Sequence, residues 1–199
     1  MSADTASLVW YVSYGSNLLA ERFAAYLEGG VPEGRVLPQQ GARDPRRWRD
    51  DRPVMLPHRL GFQGVSKGWG GGGVAFIDPS VAQPLTRGRA YLITAEQFQD
   101  VLAQESGREV GTEVDLGEAL EVGQAHLGQG RYDLVIHLGA PGGWPAFTFT
   151  TPTAPQDLDH NPPNEAYRST IARGLQQSHG LSAGQADDYL VRWSTPGDG

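Results

Sequence analysis

The residues Val12-Ser13-Tyr14-Gly15-Ser16-Asn17-Leu18 join two patterns at a corner that can hold an anion. Leu8 to Val12 form an apolar run with the character of a buried strand, while Leu18, Leu19, Phe23, Tyr26 and Leu27 recur at helical spacing. Between them lie a glycine and two residues with N-cap chemistry, Ser16 and Asn17. The first amides of a helix have no partner within it, and the dipole adds positive charge there, so the corner suits a carboxylate or phosphate. An ordinary capped turn accounts for the same residues.

A second chemical candidate is Glu105. It ends a helical pattern whose apolar face carries Phe98, Val101 and Leu102, and it stands where the dipole opposes its charge. That placement suits a lone general acid–base; the alternative is a solvent-exposed glutamate at a frayed end. Other chemistries find less support. Gly70 to Gly73 lead into a strand and are not followed by Gly-Lys-Ser/Thr, so they do not read as a phosphate loop. His58, His126, His137, His160 and His179 stand apart from one another, and no metal site is expected. No serine-nucleophile elbow is read along the chain.

The elements that must position these residues are short and numerous. Strands are expected near Leu8–Val12, Arg59–Phe62, Gly73–Ile77, Arg89–Ile93, Ala119–Leu127, Tyr132–Leu138 and Ala146–Thr150. A helix follows the first corner and stops at Gly29-Gly30-Val31-Pro32. Thr94-Ala95-Glu96-Gln97 reads as a capping box opening the helix that ends at Glu105. Two more helices are expected over Glu165–Ser178 and from Ser182, an N-cap, onward. Arg35 to Arg59 reads as an irregular surface insertion of mixed charge, with an arginine-lined mouth for an anion as its alternative. Strands and helices do not alternate regularly, which points to an α+β fold with a mixed, strongly curved or closed sheet.

The 199 residues suffice for one domain, with a core over residues 8–193 and a loose tail over 194–199. A net charge of −7 argues against a general nucleic-acid partner. The absence of cysteine removes disulfides and thiolate chemistry. No leader and no span of membrane length is seen, so a soluble cytoplasmic protein without a membrane partner is expected.

In order along the chain, these segments resemble the gamma-glutamylcyclotransferase-like superfamily. Tyr14-Gly15-Ser16-Asn17-Leu18 is similar to its signature, and Trp69-Gly70-Gly71-Gly72-Gly73-Val74-Ala75 to its Gly-Gly strand entry. Gly88-Arg89-Ala90-Tyr91 resembles its Gly-x-x-Tyr/Trp strand, and Leu102-Ala103-Gln104-Glu105 the helix end bearing its catalytic glutamate. Phe149-Thr150 through Pro162-Pro163-Asn164-Glu165-Ala166-Tyr167 is similar to a Pro-rich loop leading to a site tyrosine. The resemblance implies a small closed β-barrel flanked by helices. It also implies a γ-glutamyl substrate held by Tyr14, Gly15, Ser16, Asn17, Leu18 and Tyr167, and Glu105 moving the proton as 5-oxoproline forms without cofactor or metal. Ser106 follows Glu105 where the family has glycine, and Arg108 to Thr112 contain no tyrosine, which leaves the substrate open. A non-catalytic protein binding a small carboxylate, and another metal-free amide hydrolase or acyltransferase, are the alternatives.

Overall fold

The structure, a computed structural model, describes residues 7–32, 37–80, 86–128, 130–153 and 159–194. Its centre is β1 (Leu8–Ser13), all six residues of which are buried. β1 pairs antiparallel with β5 (Thr86–Thr94) and parallel with β8 (Ala146–Thr150). With β2 (Asp50–Leu56), β6 (Gln124–His126) and β7 (Leu134–His137) they make one mixed sheet in the order β2-β5-β1-β8-β7-β6. β3 (Leu60–Gln63) and β4 (Val74–Ile77) form a separate two-stranded ribbon. The α+β class and the large mixed sheet match the expectation.

The ribbon is fastened by side chains where a further strand would pair. Thr150 Oγ1 accepts from Ile77 N at 3.1 Å and donates to Ile77 O at 2.7 Å. Tyr132 OH donates to Ala75 O at 3.1 Å, and Tyr167 OH accepts from Ala75 N at 3.1 Å. Buried backbone groups need partners, and here tyrosines and a threonine supply them.

The helices are α1 (Ala20–Glu28), α2 (Ala95–Ser106), α3 (Gly117–Val122), α4 (Glu165–His179) and α5 (Ala183–Ser194). The Thr94–Gln97 capping box is formed, and Gly107 ends α2 in the left-handed region at φ 70°. Ser182 caps α5, accepting from Gln185 N at 3.2 Å while Gln185 Oε1 accepts from Ser182 N at 2.9 Å. Tyr11 packs between Phe23 of α1 and Phe149 of β8, ring centroids 5.3 Å from each, so the helices cover that face of the sheet.

Three expectations are corrected. The Arg35–Arg59 stretch is not wholly irregular, because Asp50–Leu56 is the edge strand β2. Its charges are largely paired: Arg43 reaches the fully buried Asp100 at 3.1 Å, Arg46 reaches Asp44 at 2.8 Å and Arg47 reaches Glu28 at 2.5 Å. Arg35 lies outside the described residues, as do 195–199 of the expected tail. The strand expected over Ala119–Leu127 is split, with helix α3 taking its first half and β6 its second. Finally, Ser16–Leu18 form a single 3₁₀ turn and α1 opens only at Ala20, so the corner lacks a full helix dipole.

Candidate active site

The corner, Glu105 and Tyr167 line one cavity of about 60 Å³, several waters' worth of space. β1 delivers Tyr11 and Ser13 to it, and the turn after β1 delivers Tyr14, Gly15, Ser16 and Asn17. Leu18 is not among its lining residues: it is fully buried, and its carbonyl accepts from Arg89 Nη1 at 3.1 Å. Leu18 is therefore a core residue supporting the corner from behind.

Asn17 joins the two chemical candidates. Its Nδ2 donates to Glu105 Oε1 at 3.1 Å and to Tyr11 OH at 3.2 Å. Its backbone carbonyl is held by Tyr91 OH at 2.7 Å. The other side-chain atom, Oδ1, is buried and has no partner. An orphaned acceptor of this kind costs about 1–3 kcal/mol, which an incoming N–H donor recovers. Among the described residues no acceptor takes the backbone amides of Gly15 and Asn17, whereas those of Leu18 and Leu19 are used at 3.0 and 3.1 Å.

Gly15 is required by a close approach. A Cβ there would stand 2.8 Å from the Tyr167 hydroxyl, and this close approach, not a left-handed backbone, is what calls for glycine, φ being −109°. Tyr167 is placed by α4, whose N-cap Asn164 accepts from Tyr167 N at 2.9 Å. Asn164 also donates to the Trp69 carbonyl, which ties the helix start to the Gly-rich turn. Gly73 sits where the 161–164 segment crosses, a Cβ there meeting Asn161 O at 1.9 Å. Gly72 and Gly73 serve this crossing, while a Cβ at Gly70 or Gly71 would meet nothing.

Burial keeps the phenols of the cavity protonated. It pushes Tyr167 up to about 12, helped by the Glu105 charge and offset by the bond from Ala75. Tyr11, Tyr14 and Tyr132 are also raised, again by burial first. Glu105 is the carboxylate among the lining residues.

Several lining groups lie outside the sequence motifs. Arg22 is 2% exposed, and its guanidinium carbon lies 4.4 Å from the Tyr26 ring centroid. It donates to Tyr26 OH at 2.9 Å, and the Gln39 side-chain amide, turned with its oxygen inward, accepts at 3.2 and 2.9 Å. Its Nε is buried without a partner. An arginine four residues before Tyr26 inside an apolar helical pattern was the available signal. Tyr132 and Arg131, ahead of β7, line another wall. Among the described residues of the arginine-rich stretch, none of Arg43, Arg46, Arg47, Arg49 and Arg52 lines the cavity.

The reading that no serine-nucleophile motif exists is also corrected. Gly64-Val65-Ser66-Lys67-Gly68 fits Gly-x-Ser-x-Gly, and Ser66 lines the cavity. Ser66 is extended, at φ −99° and ψ 108°, ahead of one 3₁₀ turn, not on a sharp strand-to-helix elbow. No histidine lines the cavity. Among the described residues no group of three or more His, Cys, Asp or Glu is arranged to hold a metal ion, and no helix is long and apolar enough to cross a membrane.

Comparison with known proteins decides the fold. A solved gamma-glutamyl cyclotransferase superposes with a TM-score of 0.53 at 17% identity, covering 96% of this chain and 90% of its own. The fold is gamma-glutamyl cyclotransferase-like. An uncharacterized protein from Homo sapiens gives a TM-score of 0.52, with the same identity and coverage. In sequence, a curated protein of Arabidopsis thaliana named Histone deacetylase 5 is 35% identical over 94% of this chain. The chain spans 31% of the length of that relative. No family model matches the chain.

Proposed function

We propose that the protein is a gamma-glutamylcyclotransferase-like enzyme that cleaves a γ-glutamyl amide or amine by intramolecular cyclisation to 5-oxoproline. One observation carries the reading: the Glu105 carboxylate is hydrogen-bonded to Asn17 of the corner inside a shared cavity. The sheet and the β3–β4 ribbon are read as the wall of the barrel that the fold implies.

In this reading the free amides of Gly15 and Asn17, with the buried Arg22, receive the substrate carboxylate. Asn17 Oδ1 accepts from the α-amine and aims it at Glu105. Glu105 takes a proton as the amine nitrogen attacks the γ-carbonyl carbon, forming the ring C–N bond. It returns the proton to the leaving nitrogen as the original amide C–N bond breaks. Ring closure joins atoms of one substrate, so positioning and a single proton shuttle supply the catalysis. Tyr167, neutral at ordinary pH, shapes the wall beside Gly15.

Glu105→Gln tests this. The variant keeps the bond to Asn17 in altered form and removes the proton acceptor, so 5-oxoproline release collapses while ligand binding persists. A non-catalytic carboxylate-binding protein releases no 5-oxoproline from any γ-glutamyl compound even with Glu105 present. A second reading, an amide hydrolase or acyltransferase, is favoured by Ser66 in the cavity and by the name of the Arabidopsis relative. The hydrolase predicts oxygen-18 from water in the acid product, the acyltransferase predicts transfer of the acyl group to an added acceptor, and both predict loss of turnover in Ser66→Ala. Cyclisation predicts none of these.

A further inference from the structure

The face of the six-stranded sheet turned away from Glu105 carries a second and larger cavity. Its volume is about 590 Å³, within the roughly 300–1,000 Å³ of small-molecule sites. β1 builds both sites by alternation, sending Tyr11 and Ser13 to one and Trp10 and Val12 to the other. Val54 and Leu56 of β2, Ala90 of β5, and Ile136 and Leu138 beside β8 complete an apolar trough across five strands.

Into this apolar surface the edge strand places one cation. The Arg52 guanidinium carbon lies 4.1 Å from the Trp10 ring centroid, and its Nη2 is buried with no hydrogen-bond partner. The neighbouring carboxylates are engaged elsewhere. Asp51 is paired with Arg89 at 2.8 Å and accepts from Trp48 Nε1 at 2.8 Å, and Asp50 accepts from Asp51 N at 2.9 Å. His58 also lines the trough, but its Nδ1 is 2.8 Å from Asp78 O and burial pushes its pKa down, so it adds no charge near neutral pH. A largely apolar surface that carries the unsatisfied Arg52 guanidinium, with the unpartnered His137 Nε2 also in its lining, is complementary to one negative charge on an apolar body.

We propose that this trough binds a small amphipathic monocarboxylate, with its chain or ring on Trp10, Val12 and Leu56 and its carboxylate on Arg52 Nη2. A monoanion fits because Arg52 is the one arginine or lysine of the lining; a phosphate ester or a second charge would find no second guanidinium or ammonium there.

Calorimetric titration of the whole chain with decanoate and with decanol tests this. One decanoate per chain is expected, with affinity weakened at least tenfold in Arg52→Met and falling as NaCl is raised. Decanol is expected to bind the wild type and Arg52→Met alike, with little dependence on salt, because it uses only the apolar walls. Glu105→Gln leaves decanoate binding unchanged, which separates this site from the proposed active site. If Arg52→Met does not fold, Arg52→Lys and the salt series decide. The lysine keeps the charge but cannot place a planar nitrogen over Trp10, so a smaller loss is expected. The proposal is overturned if decanoate does not bind the wild type, or if it binds equally well without the arginine. It is also overturned if sedimentation shows a dimer that closes the trough and that decanoate does not dissociate.

Discussion

The two faces of β1 make opposite use of the same strand. On one, Tyr11 and Ser13 open on a cavity of about 60 Å³. It is crowded with phenols, two arginines and one carboxylate, and its main side chains are held by named bonds. On the other, Trp10 and Val12 open on about 590 Å³ of apolar trough with one guanidinium. The small site is pre-organised: Asn17 is fixed by Tyr91, Tyr11 and Glu105, and Tyr167 by Asn164 and Ala75. Chemistry needs that precision. The large site offers area and the charge of Arg52, enough for binding.

The largest expected effect falls on the small site. Glu105→Gln should lower 5-oxoproline release by about 10²–10⁴-fold, the usual contribution of a general acid–base, with thermal stability little changed. Asn17→Ala removes the donor to Glu105 and the orphaned acceptor together. A hydrogen bond to a charged group is worth about 1.5–3 kcal/mol, so steady-state kinetics should show turnover reduced roughly 10–100-fold. Gly15→Ala should cost about 1–3 kcal/mol in denaturant unfolding, because its Cβ must displace the Tyr167 hydroxyl; pairing it with Tyr167→Phe should recover part of that loss. Next comes pH. Tyr167 is raised in the folded state to about 12 from 10, so the folded chain holds a proton that the unfolded chain releases. Its contribution is complete below pH 10 and is lost as pH rises through about 12, and Tyr167→Phe should shallow the alkaline fall of the melting temperature. The smallest effect is the sharpest test of separateness: Arg52→Met should leave 5-oxoproline release unchanged. A matching loss of turnover would mean that the two faces are coupled.

Much of this arrangement was legible in the residues. The Thr94 and Ser182 caps and the strand Ala146–Thr150 each rest on local chemistry that tertiary contacts did not override, whereas the corner carries a 3₁₀ turn in place of a helix capped by Ser16 or Asn17. The meeting of Glu105, Tyr167 and the corner was legible only through resemblance, since the contacts span long stretches of chain. β2 escaped notice because an edge strand tolerates charge and proline: Asp50, Arg52 and Pro53 interrupt the expected pattern, yet the strand pairs with β5 throughout its length. The helix within the strand expected over Ala119–Leu127 is not legible, because Gly117–Val122 is too short to display a helical period. Arg22 escaped because a charge within an apolar helix face reads as solvated until burial is known.

The account stands on Glu105 acting as the proton shuttle beside the Asn17 corner. The most direct measurement is mass-spectrometric detection of 5-oxoproline from a panel of γ-glutamyl amides and amines, run with the wild type and Glu105→Gln, with ligand binding measured in parallel. The account predicts release by the wild type from at least one member, loss of release in the variant, and retained binding of that same compound. Release undiminished in Glu105→Gln, or none from any compound with the wild type, would contradict it.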